Sequence, residues 1–327
     1  MNRKSKLFQT ISDELLCESC HRYLKEDLVS YKLLDGGLFN TTYRLETLTR
    51  SVILRLGPVN TEFLLPYEHR LMEAEQIVQH LMHTHGIPTS KTIALDTSRT
   101  FLDRDIMVVE CIPGVSLSTV TVTPETEKKL CFETGTLAKK IHEITADELP
   151  INFEKPFGRL GAVLAGLGGS SWSEAIQIEV SLWREQAEKI QMFSSVDFDR
   201  FTALFQKFRS LLDAGCTAPK LIHADLWFGN LLVDPSGKLL ALIDCDRAIF
   251  GDPEFEFATG WIIGEHFCKG YGSKPDSSPD GILRRRLYKL LLNLEDCYVH
   301  LGEYNNPDDG HALCEEVLQE LYVLESV

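Results

Sequence analysis

The sequence lacks any long apolar stretch. Hydrophobic residues make up 44% of its 327 residues, but no run of them approaches the about 20 residues that a helix needs to cross a bilayer. The N-terminal segment, residues 1–16, contains basic residues but neither an apolar core nor a small-residue cleavage site. We therefore expect a protein that is neither inserted in a membrane nor exported, and that is located in the cytoplasm.

The sequence also lacks an excess of basic residues. It has 33 Lys and Arg against 48 Asp and Glu, which gives a formal net charge of -15 at pH 7. Because nucleic-acid binding requires a positive surface, this balance argues against a nucleic-acid partner. The acidic excess is concentrated in residues 251–327, which contain 15 acidic and 6 basic residues. Two interpretations stay open here: a region that attracts a cationic small molecule, or an acidic surface that keeps the protein soluble.

A disulfide framework is missing as well. The nine cysteines show no framework spacing, and a cytoplasmic chain keeps its thiols reduced. Cys17, Cys20 and His21 fit the pattern of covalent haem attachment, but that modification requires export. The same segment could also form half of a zinc site, but the sequence has no second Cys-x-x-Cys pair to complete such a site. We assign neither haem nor zinc to it.

The spacing of apolar residues predicts a change of architecture along the chain. Before residue 114 it predicts a small sheet and two helices: strands on either side of Gly36 and Gly37 within residues 31–48, strands at 51–57 and 106–114, and helices at 7–24 and 64–85. Beyond it helices predominate: one starting at Pro124, then 172–192, 197–214, 282–302 and 307–325, with a strand-loop-strand unit at 220–246 and a flexible loop at 270–281. The predicted fold class is α+β.

One loop carries the residue types that phosphoryl transfer needs. Asp225 and Asn230 lie five residues apart in the segment His223-Ala-Asp-Leu-Trp-Phe-Gly-Asn230, and Asp244 ends the next apolar run. Transfer requires a carboxylate that accepts a hydroxyl proton, and Mg²⁺ prefers carboxylate and amide oxygens. These three residues supply all of those groups. The alternative is a loop whose Asp and Asn only satisfy the backbone of a turn.

These motifs resemble those of the aminoglycoside phosphotransferase and choline kinase superfamily, whose catalytic loop reads H-G-D-x-x-x-x-N and whose metal motif reads I-D-W/F-D/E. The resemblance covers about residues 30–260. It implies a protein-kinase-like fold with a small antiparallel-sheet lobe at 1–112 that binds the nucleotide. A larger, mainly helical lobe at 113–327 would hold the catalytic groups and the acceptor. By matching position, Asp225 becomes the catalytic base, and Asn230 and Asp244 become the Mg²⁺ ligands.

The resemblance also implies a phosphate site in the smaller lobe. Gly36 and Gly37 fall where the family has a hairpin that covers the phosphates. Arg55 falls where most relatives have a strand lysine that binds the phosphates, and a guanidinium can bind phosphate in the same place. Its predicted partner on the following helix is Glu75, with Glu73 as the alternative.

Three further segments match the family by position. Glu110 and Ile112 lie in a segment that resembles the hinge between the lobes, so their backbone groups are expected to bind the nucleobase. His223 resembles the histidine that organises the catalytic loop, and we expect it to be a buried histidine that carries no proton in the reaction. Asp252, in a Gly-Asp-Pro segment, is expected to cap a helix.

The sequence departs from the family pattern without losing a proton acceptor or a metal ligand. Ala224 replaces the usual glycine, Arg55 the usual lysine, and Glu256 the usual aspartate. Cys245 stands where an aromatic residue is common. A degenerate, non-catalytic relative would be expected to have lost Asp225 or a metal ligand instead.

The predicted function is the transfer of the γ-phosphate of ATP or GTP, with Mg²⁺, to a hydroxyl of a small polar acceptor such as an aminoglycoside. The alternatives are a choline-, fructosamine- or sugar-type metabolic kinase and a non-catalytic nucleotide-binding protein. The segment around Trp227 resembles the corresponding segment of fructosamine kinases. For a cationic acceptor we predict an anionic wall made by Glu256 with Asp296 or Glu303. The sequence leaves the oligomeric state open.

Overall fold

The computed structural model describes residues 5–34, 39–260 and 262–327. Gly36 and Gly37, the predicted phosphate-covering turn, lie outside these residues. The strands are β1 (Ser30–Leu33), β2 (Thr41–Glu46), β3 (Ser51–Leu56), β4 (Thr92–Asp96), β5 (Ile106–Glu110), β6 (Val115–Ser116), β7 (Gly158–Arg159), β8 (Lys220–Ile222), β9 (Leu231–Val233), β10 (Leu239–Leu242) and β11 (Ile249–Gly251).

The helices lie mainly after the first five strands, which confirms the predicted α+β class. They are α1 (Asp13–Leu24), α2 (Leu71–Thr84), α3 (Pro124–Ile141), α4 (Leu160–Leu164), α5 (Trp172–Lys189), α6 (Ser195–Lys207), α7 (Arg209–Gly215), α8 (Glu256–Thr259), α9 (Glu265–Tyr271), α10 (Pro279–Tyr298) and α11 (Pro307–Glu325). Among the described residues, no helix is both long enough and apolar enough to span a bilayer.

The first five strands form one antiparallel sheet in the order β1-β2-β3-β5-β4. Successive side chains of a strand point to opposite faces of its sheet. Val52, Leu54 and Leu56 of β3 are therefore buried together on the face that α1 covers. Arg55 points to the other face, where Met72 of α2 packs on β5. Because side chains alternate along β3, Arg55 points toward α2, the helix that follows this strand.

The chain leading into α2 is fixed to the helical part of the molecule. Side chains of α5 and α10 donate hydrogen bonds to the backbone carbonyls of Leu64 and Phe63, at 3.2 and 2.7 Å. The Tyr67 hydroxyl donates to the carboxylate of Glu295 in α10. The apolar face of α2, with Val78, then lies in one core with α3 and the strands around the catalytic loop. Most of the apolar surface of α2 is therefore buried against the helical part.

Two small sheets position the loops that carry the motifs. Strands β10, β9 and β6 form one sheet, and β7, β11 and β8 form the other. The loop with Asp225 connects β8 to β9, and the loop with Asp244 connects β10 to β11. Both loops therefore leave the same pair of sheets and meet at the cleft.

A second core joins α5, α6, α10 and α11. Its largest members include Trp172, Trp183 and Tyr288, which are nearly inaccessible to solvent. The indole nitrogen of Trp172 donates to the hydroxyl of Tyr288 at 2.9 Å, so burial leaves neither polar group without a partner. This core fixes α10, which also borders the cleft.

Several predicted helices differ from the structure at their ends. The helix predicted over 7–24 begins at Asp13, where the Ser12 hydroxyl accepts a hydrogen bond from Leu15. The helix predicted over 64–85 is a 3₁₀ segment that starts at Pro66, followed by α2. The helix predicted over 197–214 divides at Phe208, which leaves helical geometry with φ -99° and ψ 13°.

One predicted loop is corrected by the structure, and several elements were not predicted. Helix α10 starts at Pro279, inside the predicted flexible loop 270–281, because Ser278 caps it by accepting from the Gly281 amide at 3.0 Å. Strands β4, β6, β7 and β11 and helices α4 and α9 were not predicted. The predicted helix 307–325 is confirmed as α11. The division of the lobes at residue 112 stays a prediction.

Asp252 anchors α10 to the segment that follows β11, and its role as a helix cap is confirmed. Its carboxylate accepts from the Glu254 amide at 3.0 Å, the Arg284 Nε at 3.0 Å and the Tyr288 hydroxyl at 2.7 Å. Asp252 and Arg284 are both buried. A buried carboxylate with three donors is stabilising as long as all its partners remain.

Replacing Asp252→Ala should lower the free energy of unfolding by about 3–5 kcal/mol, because Arg284 loses its buried counter-ion and keeps only the more exposed Asp276 at 3.5 Å. Chemical denaturation of both proteins measures the difference. The surface substitution Glu265→Ala, which removes an exposed ion pair with Lys269, is the control and should cost less than about 1 kcal/mol. Equal costs for the two substitutions would contradict the anchoring role.

Candidate active site

The candidate active site is a cleft of about 980 Å³ between the five-stranded sheet and the helical part. The sheet contributes Ile53, Arg55 and Val109, and the connection between the two parts contributes Glu110 and Ile112. The two motif loops and α10 form the other side. All of these elements come from different parts of the sequence, so the site exists only in the folded chain.

Asp225 and Asn230 are joined within the catalytic loop. The side-chain amide nitrogen of Asn230 donates to the backbone carbonyl of Asp225 at 2.9 Å and to its carboxylate at 2.7 Å. The backbone carbonyl of Asn230 accepts from the Ile243 amide at 3.0 Å. Asp244 follows directly in the chain, so this backbone bond places the loop that carries Asp244 beside the catalytic loop.

The carboxyl group of Asp225 is largely screened from water. Burial, assisted by the negative charge of Asp244, raises its pKa to about 7, against the opposing effects of Arg247 and of the hydrogen bond from Asn230. A carboxyl with a pKa near neutrality can take up a proton at physiological pH and release it again.

The catalytic loop is held from beneath by Glu256. One carboxylate oxygen of Glu256 accepts from the backbone amides of His223 and Ala224, at 3.0 and 3.3 Å. The same oxygen lies 3.5 Å from the ring of His142, which also contacts the Tyr271 hydroxyl at 2.8 Å. Glu256 has no exposed surface. The prediction that Glu256 forms part of an acceptor wall is therefore wrong, because its buried carboxylate accepts hydrogen bonds from the backbone of the loop.

Ala224 adopts a conformation that explains the glycine of the family pattern. Its φ is +66°, in the left-handed region. A residue with a Cβ atom pays roughly 1–2 kcal/mol there, whereas glycine does not. The bonds to Glu256 flank this position and hold the loop in its strained form. His223, next to it, is buried, and burial lowers the pKa of its imidazole, so the ring is neutral as expected.

Arg55 lies between three carboxylates. Its guanidinium donates to Glu75 of α2, to Asp244 at 3.0 Å and to Asp246 at 3.4 Å. Glu75 is the residue of α2 that pairs with Arg55, whereas Glu73 pairs with Arg70 instead. Only 12% of the Arg55 side chain is exposed. A planar guanidinium with five donors suits this arrangement better than an ammonium would.

The same three carboxylates could hold a metal ion, and they are the cluster of this kind found among the described residues. Oxygen atoms of Glu75, Asp244 and Asp246 all lie within 4.8 Å of one another. Asp244 has a φ of +63°. Burial and the charge of Asp244 raise the pKa of Asp246 well above its ordinary value, against the opposing charge of Arg55. Carboxylates crowded in this way favour a bound cation.

Several residues of the cleft were missed by the sequence analysis. Asp246 is the second acid of the metal motif, and the motif could have identified it. Trp227 follows Asp225 by two positions, lines the cleft and is 42% exposed. Arg247 also lines the cleft, where its guanidinium binds Glu295 at 2.7 Å. No pattern in the sequence pointed to Arg247.

The half of the cleft beside α10 is not an anionic wall. Glu303 has no exposed surface, so its predicted role in such a wall is wrong as well. Asp296 does line the cleft. The cleft face of α10 and the turn after it consists of Lys289, Leu292, Glu295, Asp296, Val299, His300 and Tyr304. Positive and negative groups therefore occur together on this side.

The arrangement of sheet, cleft and helices is that of the aminoglycoside phosphotransferases. A thermostable mutant of aminoglycoside phosphotransferase APH(4)-Ia, in a ternary complex with AMP-PNP and hygromycin B, matches with a TM-score of 0.64 and 17% identity. The match covers 93% of this chain and 98% of that one. At this identity the likeness shows the fold alone, and it confirms the predicted protein-kinase-like architecture.

Sequence comparison shows the family. Residues 30–278 match the family described as Phosphotransferase enzyme family, and the chain belongs to it. The protein-ribulosamine 3-kinase, chloroplastic, of Oryza sativa subsp. japonica is 30% identical over 120 residues, 36% of this chain and 32% of that protein. The hygromycin-B 4-O-kinase of Escherichia coli is 31% identical over 97 residues, 28% of each chain. The matched region thus spans about a third or less of these relatives.

Removing the guanidinium with Arg55→Ala should lower the free energy of unfolding by about 3–5 kcal/mol, because buried carboxylates lose their counter-ion. Mg²⁺ without nucleotide should then raise the melting temperature of the variant more than that of the unchanged protein. Arg55→Lys should keep part of the stability. Thermal unfolding with and without Mg²⁺ tests both effects, and an Arg55→Ala protein with unaltered stability and Mg²⁺ response would contradict this account.

Proposed function

We propose that this protein transfers the γ-phosphate of ATP or GTP to a hydroxyl group of a small polyhydroxylated acceptor. The observation that carries the proposal is a carboxyl group with a pKa near 7, Asp225, held by Asn230 in a cleft beside a cluster of three carboxylates and a guanidinium. Phosphoryl transfer needs these groups: a proton acceptor, metal ligands and a cation for the phosphates.

In this proposal Asp225 accepts the proton of the acceptor hydroxyl. A bond forms between the hydroxyl oxygen and the γ-phosphorus, and the bond from that phosphorus to the bridging oxygen breaks. The electron pair of the broken bond leaves with the nucleoside diphosphate, and the proton remains on Asp225 until solvent removes it. Asn230 keeps the carboxylate oriented throughout, because its amide binds both the side chain and the backbone of Asp225.

The residues of the cleft fit a magnesium ion. Asp244 and Asp246 offer carboxylate oxygens, and Asn230 an amide oxygen, which are the donor types that Mg²⁺ takes in nucleotide sites. When bound, the ion would neutralise phosphate charge as the γ-phosphate is transferred. Arg55 would then exchange its contacts with Asp244 and Asp246 for nucleotide phosphate, while Glu75 continues to hold it.

The backbone of the connection between the sheet and the helical part would bind the nucleobase. Glu110 ends β5, and its amide donates to the Lys91 carbonyl at 2.9 Å, so its carbonyl is the group proposed to accept from the base. Ile112 lines the cleft two residues further along. The apolar side chains of Ile53, Val109 and Ile243 line the same part of the cleft and suit a planar base.

The acceptor is proposed to be a sugar derivative. The two relatives are named as kinases of a ribulosamine and of hygromycin B. In this chain, Trp227 presents an exposed ring beside Asp225. An aromatic face next to the proton acceptor can pack on the apolar face of a sugar ring and present one hydroxyl to the carboxylate.

The substitution Asp225→Asn should reduce phosphoryl transfer by about 10²–10⁴-fold, because the amide cannot accept the hydroxyl proton. Nucleotide affinity should change little, since Asp225 is not among the groups proposed to bind nucleotide. Conversion of ATP to ADP with a panel of sugar derivatives measures transfer. The control is Asp147→Asn, at an exposed position outside the cleft. Full activity in the Asp225→Asn protein would remove this residue from the mechanism.

The substitution Asp244→Asn should abolish the Mg²⁺-dependent part of nucleotide binding. In the unchanged protein, nucleotide at 100 times its dissociation constant stabilises the fold by about 2.7 kcal/mol. Thermal unfolding with an ATP analogue, with and without Mg²⁺, measures this in both proteins. An identical Mg²⁺ response in the variant would show that the ion binds elsewhere.

A further inference from the structure

Two acidic side chains that the proposed reaction does not use meet in the interior of the protein. Glu68 belongs to the 3₁₀ segment Pro66–Arg70 that leads into α2, and Glu303 ends the turn Val299–Glu303 that follows α10. Their exposed fractions are 3% and 0%. A hydrogen bond joins the two carboxyl groups. Because ionised carboxylates can only accept hydrogen bonds, this bond requires a proton on one of them.

The surroundings of the two groups differ and indicate which one carries the proton. One oxygen of Glu68 accepts from the Leu65 amide at 2.8 Å, and the Arg247 guanidinium lies 3.6 Å from the other. Among the residues that the structure describes, no N–H or alcohol group donates to either carboxyl oxygen of Glu303. Burying a charge without such partners is costly. Glu68 therefore keeps the negative charge, and Glu303 carries the proton.

The charges around the carboxyl pair, Glu68 and Glu303, favour the same assignment. Burial, with the charge of Glu68, raises the pKa of Glu303 well above its ordinary value, and Arg247 offsets this only in part. Burial also raises the pKa of Glu68, against the charge of Arg247 and the hydrogen bond from Glu303. Arg247 is shared with Glu295, which it binds at 2.7 Å. The other titratable groups on the elements packed around the pair are Lys6, Tyr67, Tyr298, His300 and Tyr304.

The carboxyl pair joins segments that matter for the shape of the cleft. The turn that Glu303 ends borders the cleft on the side of α10. The backbone carbonyl of Glu303 accepts from the Lys6 amide at 2.9 Å, so the N-terminal segment is bound at the same point. On the other side, Glu68 stands just before α2, the helix that carries Glu75. A change in the pair therefore acts on two borders of the site.

We propose that Glu68 and Glu303 share one proton, carried by Glu303, and that their hydrogen bond holds the turn after α10 against the segment that leads into α2 until rising pH removes the proton. Without the proton, two carboxylates are buried side by side. The one guanidinium near them is already bound to Glu295. Like charges in such a position repel each other. The turn is then released, and the cleft loses a fixed border.

The pH dependence of stability tests for the shared proton. The unfolded chain releases the proton of Glu303 near the ordinary pKa of about 4.3, whereas the folded chain keeps it to higher pH. The folded state therefore binds the extra proton, and stability falls as pH rises through this interval, by about tenfold in the folding constant per pH unit. Glu303→Gln cannot titrate, and its amide can still donate to Glu68. The folding constant of this variant, relative to that of the unchanged protein, should rise about tenfold per pH unit.

Two further substitutions complete the chemical denaturation series. Glu62→Gln, at an exposed position on the same connection, is the control and should follow the unchanged protein at every pH. Glu68→Gln leaves Glu303 buried with its proton, so its stability should remain dependent on pH. Parallel profiles for Glu303→Gln and the unchanged protein would overturn the proposal. Loss of the pH dependence in Glu68→Gln but not in Glu303→Gln would place the proton on Glu68 and overturn the assignment.

Carbon-13 NMR with labelled glutamate carboxyl groups observes the proton directly. One glutamate signal should keep the position of a protonated acid at about pH 7, far above the ordinary pKa of about 4.3. This signal should be absent from Glu303→Gln and displaced in Glu68→Gln, so the second variant identifies it even if the first does not fold. If each glutamate signal has the position of a carboxylate at this pH, the proposal is wrong.

Hydrogen exchange tests whether the pair holds the turn. At about pH 9 the amides of residues 299–304 should exchange faster in the unchanged protein than in Glu303→Gln, and at about pH 6 the two proteins should agree. Equal exchange at both pH values would overturn the role of the pair in holding the turn. The same measurements in sodium and potassium chloride separate a proton from a bound cation. Stabilisation by either cation in the unchanged protein but not in Glu303→Gln would replace the shared proton with a metal ion and overturn the proposal.

Discussion

The contacts of Arg55 with three carboxylates connect the parts of this protein that must act together. β3 provides the cation, α2 provides Glu75, and the loop after β10 provides Asp244 and Asp246. Burial penalises the charges of Arg55, Glu75 and Asp246, so each of them depends on the others for compensation. Asp244 is 45% exposed. These ion pairs bring the sheet, the helix and the metal motif together around the cleft. The geometry of the candidate site follows from this one arrangement of charges.

The catalytic loop depends on a different kind of support. Its shape is determined by hydrogen bonds between its backbone and two side chains: that of Glu256, which lies outside the loop, and that of Asn230, which belongs to it. These bonds maintain the left-handed conformation of Ala224, which alanine does not favour by itself. The buried contacts of Glu256 with His142 extend the support to α3. Glu256 therefore holds the catalytic loop in place. The negative charge of residues 251–327 had suggested instead that it contacts the acceptor.

Sequence patterns predicted β1 to β3, β5, β8 to β10 and most of the long helices, because apolar periodicity reports which face of each element is buried. The pairing of Arg55 with Glu75 was implied by the family resemblance, which matched the strand cation and a glutamate on the following helix. Sequence patterns failed where the outcome depends on burial in three dimensions. The net charge of residues 251–327 could not reveal that Glu256 and Glu303 are buried and that Asp296 is not. Arg247 and Lys289 belong to no motif, and only packing brings them to the cleft.

The way in which α2 is attached has a mechanical consequence. The segment that precedes it is bonded to α5 and α10, and most of its apolar face is buried in the helical part. If the cleft opens or closes, α2 stays with the helical part and the five-stranded sheet rotates over it. Such a rotation bends the chain between β3 and residue 61, between α2 and β4, and at the connection after Glu110. The ion pair of Arg55 with Glu75 then joins the two parts that move against each other, so the distance between the guanidinium and the carboxylate would change as the cleft closes.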